Sequence, residues 1–461
     1  MNIRAIIFVA ACNLLQSQAF ALTLNQIDYA RASGDLLEVT VVGEAPAVEE
    51  RFIAACQSGT LDVYLNSKAL FTGEIADGGV AKTYSCTTAR FVSRNTGYGV
   101  KVLLHRLALS NAVLPVAKNV MLPFLRVSSA DCNQDTKVCS AVSYKRPDGG
   151  LAPVSTSAFN FLANRSVYPV DFSSSSIVSE NDFNENARAL QTIFGLAVSN
   201  ELYVALQVDQ GTTGRPSVPR SVIASILSNT YNPDLGWAPL FRNAANINGK
   251  TQVNICRHVN GSGVQAAANR FWLEYGANAS ALAPADNANN SSFSNDFIHA
   301  RSNAGLILVY EGATTSKVRN CLSAANDNGA FAIGHLTLGE VSDGKWKFVS
   351  IDGIEPSRDN AKRGVYSYFF SSPGLVAKTG NSSDGRIYFA DLLRALWAPD
   401  GLVRLSPAVQ AGVMTMPNVA GCPNLSLGFN FVESSSPGAT RADKFCSRAE
   451  RYKSEDLLFF Y

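Results

Sequence analysis

The clearest chemical signal lies where an apolar run ends in Arg257 and Gly261-Ser-Gly263 follows after three further residues. The first N–H groups of a helix have no partner within it and carry the positive end of its dipole, so a helix starting here attracts an oxyanion. Arg257 is placed to add a bidentate contact to that anion. The alternative is a plain capped helix with Arg257 on the surface. His258 is either a pH-sensitive ligand contact or an exposed loop residue, and we favour the second.

The following residues predict the amphipathic helix that would position this site. Apolar residues recur at i, i+3, i+4, i+7, i+8 and i+11 between Val264 and Tyr275. Ser262 stands where an N-cap belongs, and Gln265 three residues later completes the pattern of a capping box. The sequence therefore predicts a strand, a tight turn and a capped helix in succession.

No enzymatic or metal site stands out in the sequence. Gly261-Ser-Gly263 lacks the Gly-x-Ser-x-Gly pattern of a nucleophile elbow, and neither HExxH nor CxxC occurs. A Ser-His-Asp site built from distant residues is the least supported alternative, because triads are defined by geometry rather than order. We therefore predict no enzyme activity, no catalytic residues, no metal and no cofactor.

The overall charge argues against a polyanionic partner. Charged residues make up 16% of the chain, and the formal net charge is +2. Nucleic-acid binding requires a basic face, and the sequence offers none. We expect no nucleic-acid partner.

The first residues predict export. Arg4 precedes an apolar run from Ala5 to Val9, and Ala19-Phe-Ala21 closes the segment with small residues. This order is typical of a secretory signal peptide cleaved after Ala21. A lipoprotein box at Val9-Ala-Ala-Cys12 is the alternative, but it would leave an apolar stretch of only about seven residues.

Cysteine usage supports an oxidising compartment. Removing the signal peptide leaves eight cysteines, and an even number in an exported protein predicts disulfides. Pairing of neighbours is the simplest arrangement, although eight cysteines allow about 105 connectivities. The candidates are Cys56, Cys86, Cys132, Cys139, Cys256, Cys321, Cys422 and Cys446.

Strands and helices alternate along the chain. Apolar-rich runs that predict strands lie at Leu36–Val42, Val100–Leu104, Tyr168–Phe172 and Gln252–Ile255. Helices are predicted after them, among them one from Val48 to Cys56 and one from Asp182 to Thr192. This alternation predicts α/β units with parallel sheets, and the length predicts two lobes.

Several segments resemble, in the right order, the phosphate-type periplasmic solute-binding family. The Arg257 to Phe271 segment resembles its anion-binding loop and helix. Gly43-Glu-Ala-Pro46 resembles its first loop, and Ala108-Leu-Ser110 with Pro115-Val-Ala117 resembles its second. Further similar segments are Val170 to Ser176, Asn328 to Gly334 and Asp352 to Pro356.

The resemblance implies a two-lobed type II periplasmic-binding-protein fold, with mixed sheets flanked by helices and a ligand cleft between the lobes. It implies chain crossings near 181–206 and 334–354. The predicted divisions are a signal peptide at 1–21, the first part of lobe I at 22–190 with a disulfide-closed excursion at 132–139, lobe II at 191–350, and the return segment of lobe I at 351–461.

The same resemblance implies a periplasmic or secreted solute-binding protein that takes a small anionic solute, phosphate among the candidates. An ABC transporter or another envelope protein would be its partner. Carried over by position, the cleft would be lined by Ala45, Pro46, Ser110, Ser176, Arg257, Ser262, Gly263 and Val264.

The chain also departs from the family pattern. Ser176 stands where the family has an aspartate that accepts a hydrogen bond from the protonated ligand, and Val264 stands in place of a threonine. The second loop lacks the family's paired glycines, and one extra residue separates Arg257 from Ser262. Because a missing buried acceptor removes the preference for a protonated oxyanion, the fold transfers better than the ligand. The alternative function is a secreted structural or interaction protein with a degenerate cleft.

Overall fold

The computed structural model describes most of the chain. The described residues are 21–43, 46–67, 81–91, 96–109, 112–160, 164, 166–167, 170–171, 178–228, 233–259, 261–273, 299–302, 307–312, 314–397, 405–415, 449–451 and 458–460. Among the residues singled out above, Ala45, Ser110, Ser176, Tyr275, Cys422 and Cys446 lie outside these ranges, as does nearly all of the predicted signal peptide.

The helices of the described residues range from five to fifteen residues. They are α1 Leu24–Ser33, α2 Pro46–Ala55, α3 Val113–Ala117, α4 Asn200–Gln210, α5 Arg220–Ser228, α6 Gly263–Trp272, α7 Thr315–Asp327, α8 Arg358–Lys362, α9 Ser383–Trp397 and α10 Pro407–Gly412. None of the helices in these ranges is long and apolar enough to span a membrane.

The strands are of very uneven length. They are β1 Leu36–Val42, β2 Leu61–Asn66, β3 Ala81–Phe91, β4 Thr96–Leu107, β5 Leu122–Leu125, β6 Val138–Cys139, β7 Val142–Lys145, β8 Gly149–Leu151, β9 Ser166–Val167, β10 Val170–Asp171, β11 Phe183–Ser199, β12 Ser217–Val218, β13 Val253–His258, β14 His299–Ser302, β15 Ile307–Gly312, β16 Ala332–Thr337, β17 Trp346–Phe348, β18 Ser350–Ile351, β19 Phe369–Ala377, β20 Val413–Thr415, β21 Ala449–Arg451 and β22 Leu458–Phe460.

Fourteen strands of the described residues are linked into one mixed sheet arrangement. Its order is β14-β15-β13-β16-β11-β19-β8-β1-β4-β3-β2-β6, with β17 and β20 also pairing with β11. β1 runs parallel to β4, and β13 runs parallel to both β15 and β16. β11 is antiparallel to its neighbours. The prediction of an α/β fold with mixed sheets flanked by helices is confirmed.

The long strand β11 connects two halves of this arrangement. Its residues Phe183 to Ile193 pair with β19, and its residues Phe194 to Val198 pair with β16. We call the strands on the β19 side the first half and those on the β16 side the second half. The predicted helix from Asp182 to Thr192 is therefore wrong. The segment from Asp182 to Thr192 is rich in polar and charged residues and has no clear period of two, so its sequence does not distinguish a strand from a helix; pairing with β19 decides it.

Helices cover both faces of each half. In the first half, α2 and α9 pack on one face around Phe52 and Leu393. In the second half, α7 covers one face through Val318 and Leu322. The opposite faces of both halves share one larger core, to which α1, α3, α4, α5 and α6 contribute. The lobe boundaries given above stay a prediction.

Within the described ranges, three disulfides join cysteines that are consecutive along the chain. Cys56 is bonded to Cys86, Cys132 to Cys139 and Cys256 to Cys321. The second closes the short excursion around residues 132–139, and the third ties β13 to α7. The fourth predicted pair lies outside the described residues.

Candidate functional site

The candidate anion site lies where β13 ends and α6 begins. Every residue of β13 is buried. Gly261 has a φ of 89°, in the left-handed region that glycine adopts at no steric cost. Ser262, in extended conformation, caps a helix that starts at Gly263. The strand, turn and helix lie where the sequence predicts them.

The cap of α6 is simpler than the predicted capping box. The Ser262 hydroxyl accepts from the Gln265 N–H at 3.5 Å, as an N-cap does. The Ser262 N–H donates to the carbonyl of Val259 at 3.2 Å. The Gln265 side chain instead donates to Asn269 Oδ1 at 2.9 Å. The turn satisfies the backbone N–H that the glutamine would have bonded, so only the serine half of the box forms.

Arg257 is buried and paired. Its side chain is 2% exposed, and its Nε lies 3.4 Å from Glu311 Oε1. The same Nε donates to the carbonyl of His258 at 3.0 Å. Strand register accounts for the pair, because Arg257 of β13 lies opposite Glu311 of β15. The surface position considered for Arg257 is thus excluded.

Two histidines accompany the arginine. His258 is 1% and His335 2% exposed, so the interpretation of His258 as an exposed loop residue is wrong. His335 follows Gly334, which pairs with Cys256, so it lies beside Arg257 on the neighbouring strand β16. Burial, and then the charge of Arg257, lowers the pKa of His258 to about 3. Burial, followed by the charges of His258 and Arg257, also lowers the pKa of His335 to about 3.

Both imidazoles are therefore neutral near pH 7. The indole N–H of Trp272 donates to His335 Nδ1 at 3.3 Å, which places the proton of His335 on Nε2. Neither that Nε2 nor either ring nitrogen of His258 has a hydrogen-bond partner among the described residues. Neutral histidines add polarity to the site without adding positive charge.

Aromatic packing fixes the far end of α6. Tyr368 stacks on Phe271, with ring centroids 4.1 Å apart, and on Phe194 of β11 at 5.4 Å. Trp272 packs edge-on against Phe271 at 4.7 Å. Trp272 and Phe271 therefore belong to the core, as their spacing predicts.

α6 also contacts the first half. Arg270 Nη1 donates to Ser155 Oγ at 2.9 Å, and Asn269 Nδ2 donates to Asn164 Oδ1 at 2.9 Å. All residues of α6 except Asn269 are buried, including Ser262's neighbours Gly263 and Val264. The helix is enclosed by both halves.

A second arginine pair occurs at the first predicted loop. Arg106, near the end of β4, has its Nε 2.5 Å from Glu49 Oε1 in the first turn of α2. The Tyr84 hydroxyl donates to Glu49 Oε2 at 2.6 Å, and Arg106 Nη2 donates to the carbonyl of Gly43 at 3.4 Å. Glu49 thus holds the negative charge that a bound anion would supply there.

The predicted cleft residues fall into two groups in the described chain. Arg257, Ser262, Gly263 and Val264 lie together at the start of α6, whereas Pro46 is the exposed first residue of α2 in the other half. Ala45, Ser110 and Ser176 lie outside the described residues. No group of three or more potential metal-binding side chains occurs within the described ranges.

Sequence reasoning missed Glu311, His335 and Glu49. Glu311 ends an apolar run that reads as a strand, and the ends of parallel neighbouring strands meet at one edge of a sheet. The sequence thus shows that Glu311 ends a strand, but it does not show that this strand, β15, pairs with β13.

Comparisons with known proteins give distant structural likenesses only. No family model and no curated protein sequence matches the chain. A phosphate ABC transporter substrate-binding protein with bound phosphate from Clostridium perfringens is 12% identical, with a TM-score of 0.42, over 81% of this chain and 99% of that one. An ABC-type phosphate transport receptor from Vibrio cholerae is 12% identical, with a TM-score of 0.35, over 77% and 93%. PstS from Borrelia burgdorferi is 9% identical, with a TM-score of 0.35, over 83% and 100%. Likenesses of this extent do not bear on ligand or partner.

Proposed function

We propose that this chain is an exported solute-binding protein that holds a small oxyanion between Arg257 and the start of α6. One observation carries the proposal: a buried guanidinium and a serine-capped helix start follow each other within six residues at one strand end. Such an end supplies N–H donors and positive charge to an anion. The proposal includes no catalytic residue.

The site is weakly selective in this proposal. Glu311, with its Oε1 3.4 Å from Arg257 Nε, offsets the charge of the guanidinium. The neutral His258 and His335 add none. Ser176 lacks the carboxylate that would accept a hydrogen bond from a protonated ligand, so phosphate has little advantage over sulfate.

The wider setting follows from the sequence resemblance. The lobes would divide at residues 22–190, 191–350 and 351–461, with Ala45, Pro46, Ser110 and Ser176 facing α6 across the cleft. The location would be periplasmic or secreted, and the partner an ABC transporter or another envelope protein.

Calorimetric titration with phosphate, sulfate and molybdate tests the site. Arg257→Gln should abolish anion binding. Glu311→Gln removes the competing carboxylate and should tighten binding about tenfold, or ~1.4 kcal/mol. Matched controls are Arg319→Gln and Glu340→Gln, which break another arginine–glutamate pair with its atoms 3.1 Å apart.

The opposite responses expected of Arg257→Gln and Glu311→Gln distinguish a direct effect on binding from a loss of binding caused by misfolding. A destabilised variant loses binding, whereas the proposal requires Glu311→Gln to gain it. Tight phosphate binding that persists in Arg257→Gln would mean that the ligand binds elsewhere.

A second candidate is an interaction protein that reuses the fold with a degenerate cleft. The internal neutralisation of both arginines, by Glu49 in one half and Glu311 in the other, favours it. Absence of anion binding by the parent protein and by Glu311→Gln would select this candidate.

A further inference from the structure

The Arg257–Glu311 pair is buried, and its two charges cancel. The side chains are 2% and 7% exposed, and Arg257 Nε lies 3.4 Å from Glu311 Oε1. Both residues are fixed by the parallel register of β13 and β15, so their side chains share one face of the sheet. An anion held by Arg257 at the start of α6 therefore adds a negative charge to a buried pair that is already neutral.

The carboxylate of Glu311 is the group that such an anion displaces. Hydrogen bonds from the guanidinium to the anion weaken its interaction with Glu311. A buried carboxylate that loses its counter-ion and gains a like charge nearby is strongly disfavoured in its ionised form. A proton taken from solvent onto a carboxyl oxygen of Glu311 removes that charge. For a singly charged anion, the net charge of the site is then the same before and after binding.

His335, on the neighbouring strand β16, is a poorer proton acceptor. Its Nδ1 already accepts from the indole N–H of Trp272 at 3.3 Å, and its Nε2 carries the proton. A second proton on Nδ1 would set two N–H donors against each other. Burial, followed by the charges of His258 and Arg257, also holds the pKa of His335 at about 3.

His258 has ring nitrogens without hydrogen-bond partners among the described residues, but it belongs to the other face of the sheet. In the strand register it lies opposite Gly312, whereas Arg257 lies opposite Glu311, and successive residues of a strand point to opposite faces. Lys317 of α7 packs against Gly312 on that second face. Burial, and then the charge of Arg257, holds the pKa of His258 at about 3.

Few other charged groups face this site from the elements around it. β14 places His299 at the register position opposite Glu311, and α6 carries Arg270 in its last turn, bonded to Ser155. Glu311 is the one carboxylate carried by the described elements β13, β14, β15, β16 and α6. It is therefore the acidic group placed to respond to the charge of an anion bound at α6.

Resting on the proposed anion site, we infer that anion binding at the start of α6 is coupled to uptake of a proton by Glu311. A ligand that binds together with a proton binds more tightly as pH falls, because each favours the binding of the other. The site then loads its anion in acidic surroundings and releases it as pH rises.

Sulfate is the probe, because it stays fully ionised between pH 5 and pH 8. Calorimetric titration in two buffers that differ in ionisation enthalpy measures the protons taken up per anion. At pH 5 the parent protein should take up about half a proton or more per sulfate and bind it at least about threefold more tightly than at pH 8. This measurement requires no variant.

The outcome separates the inference from the proposal on which it rests. Sulfate binding of equal affinity at pH 5 and pH 8, without proton uptake, would overturn the coupling and leave the anion site in place. Absence of binding for sulfate, phosphate and molybdate at both pH values would refute the anion site and the coupling together.

Variants assign the proton to one residue. Glu311→Gln resembles the protonated carboxyl, so it should bind sulfate equally at pH 5 and pH 8 without proton uptake. Glu340→Gln, in the pair with Arg319, is the matched control and should keep the uptake of the parent. His258→Gln and His335→Gln should keep it as well, whatever their affinity. Uptake that persists in Glu311→Gln but is lost in either histidine variant would contradict the assignment.

Discussion

At the scale of single residues, the paired arginines limit what the protein can bind. Arg106 and Arg257 each stand at or near a strand end, and each has a glutamate from its own chain as counter-ion. A buried charge without a partner is strongly destabilising, so these glutamates stabilise the guanidinium groups they face. A bound anion must compete with Glu311 for the same guanidinium. In the proposed site, affinity therefore depends on how much more strongly Arg257 interacts with the bound anion than with Glu311.

The buried histidines should make stability depend on pH. The pKa of His335 is about 3 in the folded protein, below its ordinary 6.5. A depressed pKa contributes stability that is fully present above pH 6.5 and is lost as pH falls toward 3. At pH 4.5 the loss is on the order of 2–3 kcal/mol for one such histidine.

His335→Gln tests this, because the glutamine oxygen can still accept from Trp272. Denaturant unfolding at pH 7 and pH 4.5 should show the parent losing more free energy of unfolding than the variant. An equal loss in both proteins would show that His335 does not titrate as described.

The sequence predicted the local part of the site and missed the distant part. Arg257, Ser262 and Gly263 are adjacent in sequence, so turn and capping chemistry locate them. Glu311 lies 54 residues further along and meets Arg257 only through the register of two parallel strands. No local pattern specifies which strands become neighbours.

At the scale of elements, β11 shows where local patterns fail. Its first part, from Phe183 to Thr192, is mostly polar and lacks the alternation of a one-sided strand, and its conformation is fixed by pairing with β19, which lies about 180 residues further along the chain. α6 has the opposite character, because its cap and turn residues mark its start clearly. The apolar runs of β1 and β13 and the capped start of α6 were predicted, whereas β11, whose strand conformation is set by pairing with β19 and β16, was not.

The cap of α6 should contribute measurably to stability. Ser262→Ala removes the acceptor for the Gln265 N–H and should cost about 1 kcal/mol of unfolding free energy, whereas Ser262→Gly should cost only a few tenths. Thr23→Ala is the matched control, since Thr23 caps α1. Both alanine variants should lower stability in denaturant titrations, but only Ser262→Ala should also weaken anion binding. Equal anion affinity in the two variants would show that the Ser262 cap does not contribute to anion binding.

At the scale of the whole molecule, α6 connects the two halves. Its Asn269 and Arg270 hydrogen-bond to residues of the first half, and its aromatic end packs on the shared strand β11. Ser262 is fully buried. In the proposed site, an anion would therefore reach Ser262 only after some of the residues that bury it move.

The disulfides should stabilise the whole molecule unequally. Cys256–Cys321 spans 65 residues and Cys132–Cys139 spans 7. In the chain-entropy account a cross-link restricts the unfolded chain more as its loop lengthens, which gives about 4 kcal/mol for the first and about 2 kcal/mol for the second. Replacing both cysteines of one pair by alanine should therefore lower the free energy of unfolding about 2 kcal/mol more for Cys256 and Cys321. Denaturant titration of the two double variants measures this difference, and the fully reduced parent provides the lower limit.

Cys256 precedes Arg257, so its variant should also weaken anion binding, while the Cys132 and Cys139 variant should bind as the parent does. The reverse order of stabilities would show that strain or residual structure in the unfolded chain outweighs loop closure.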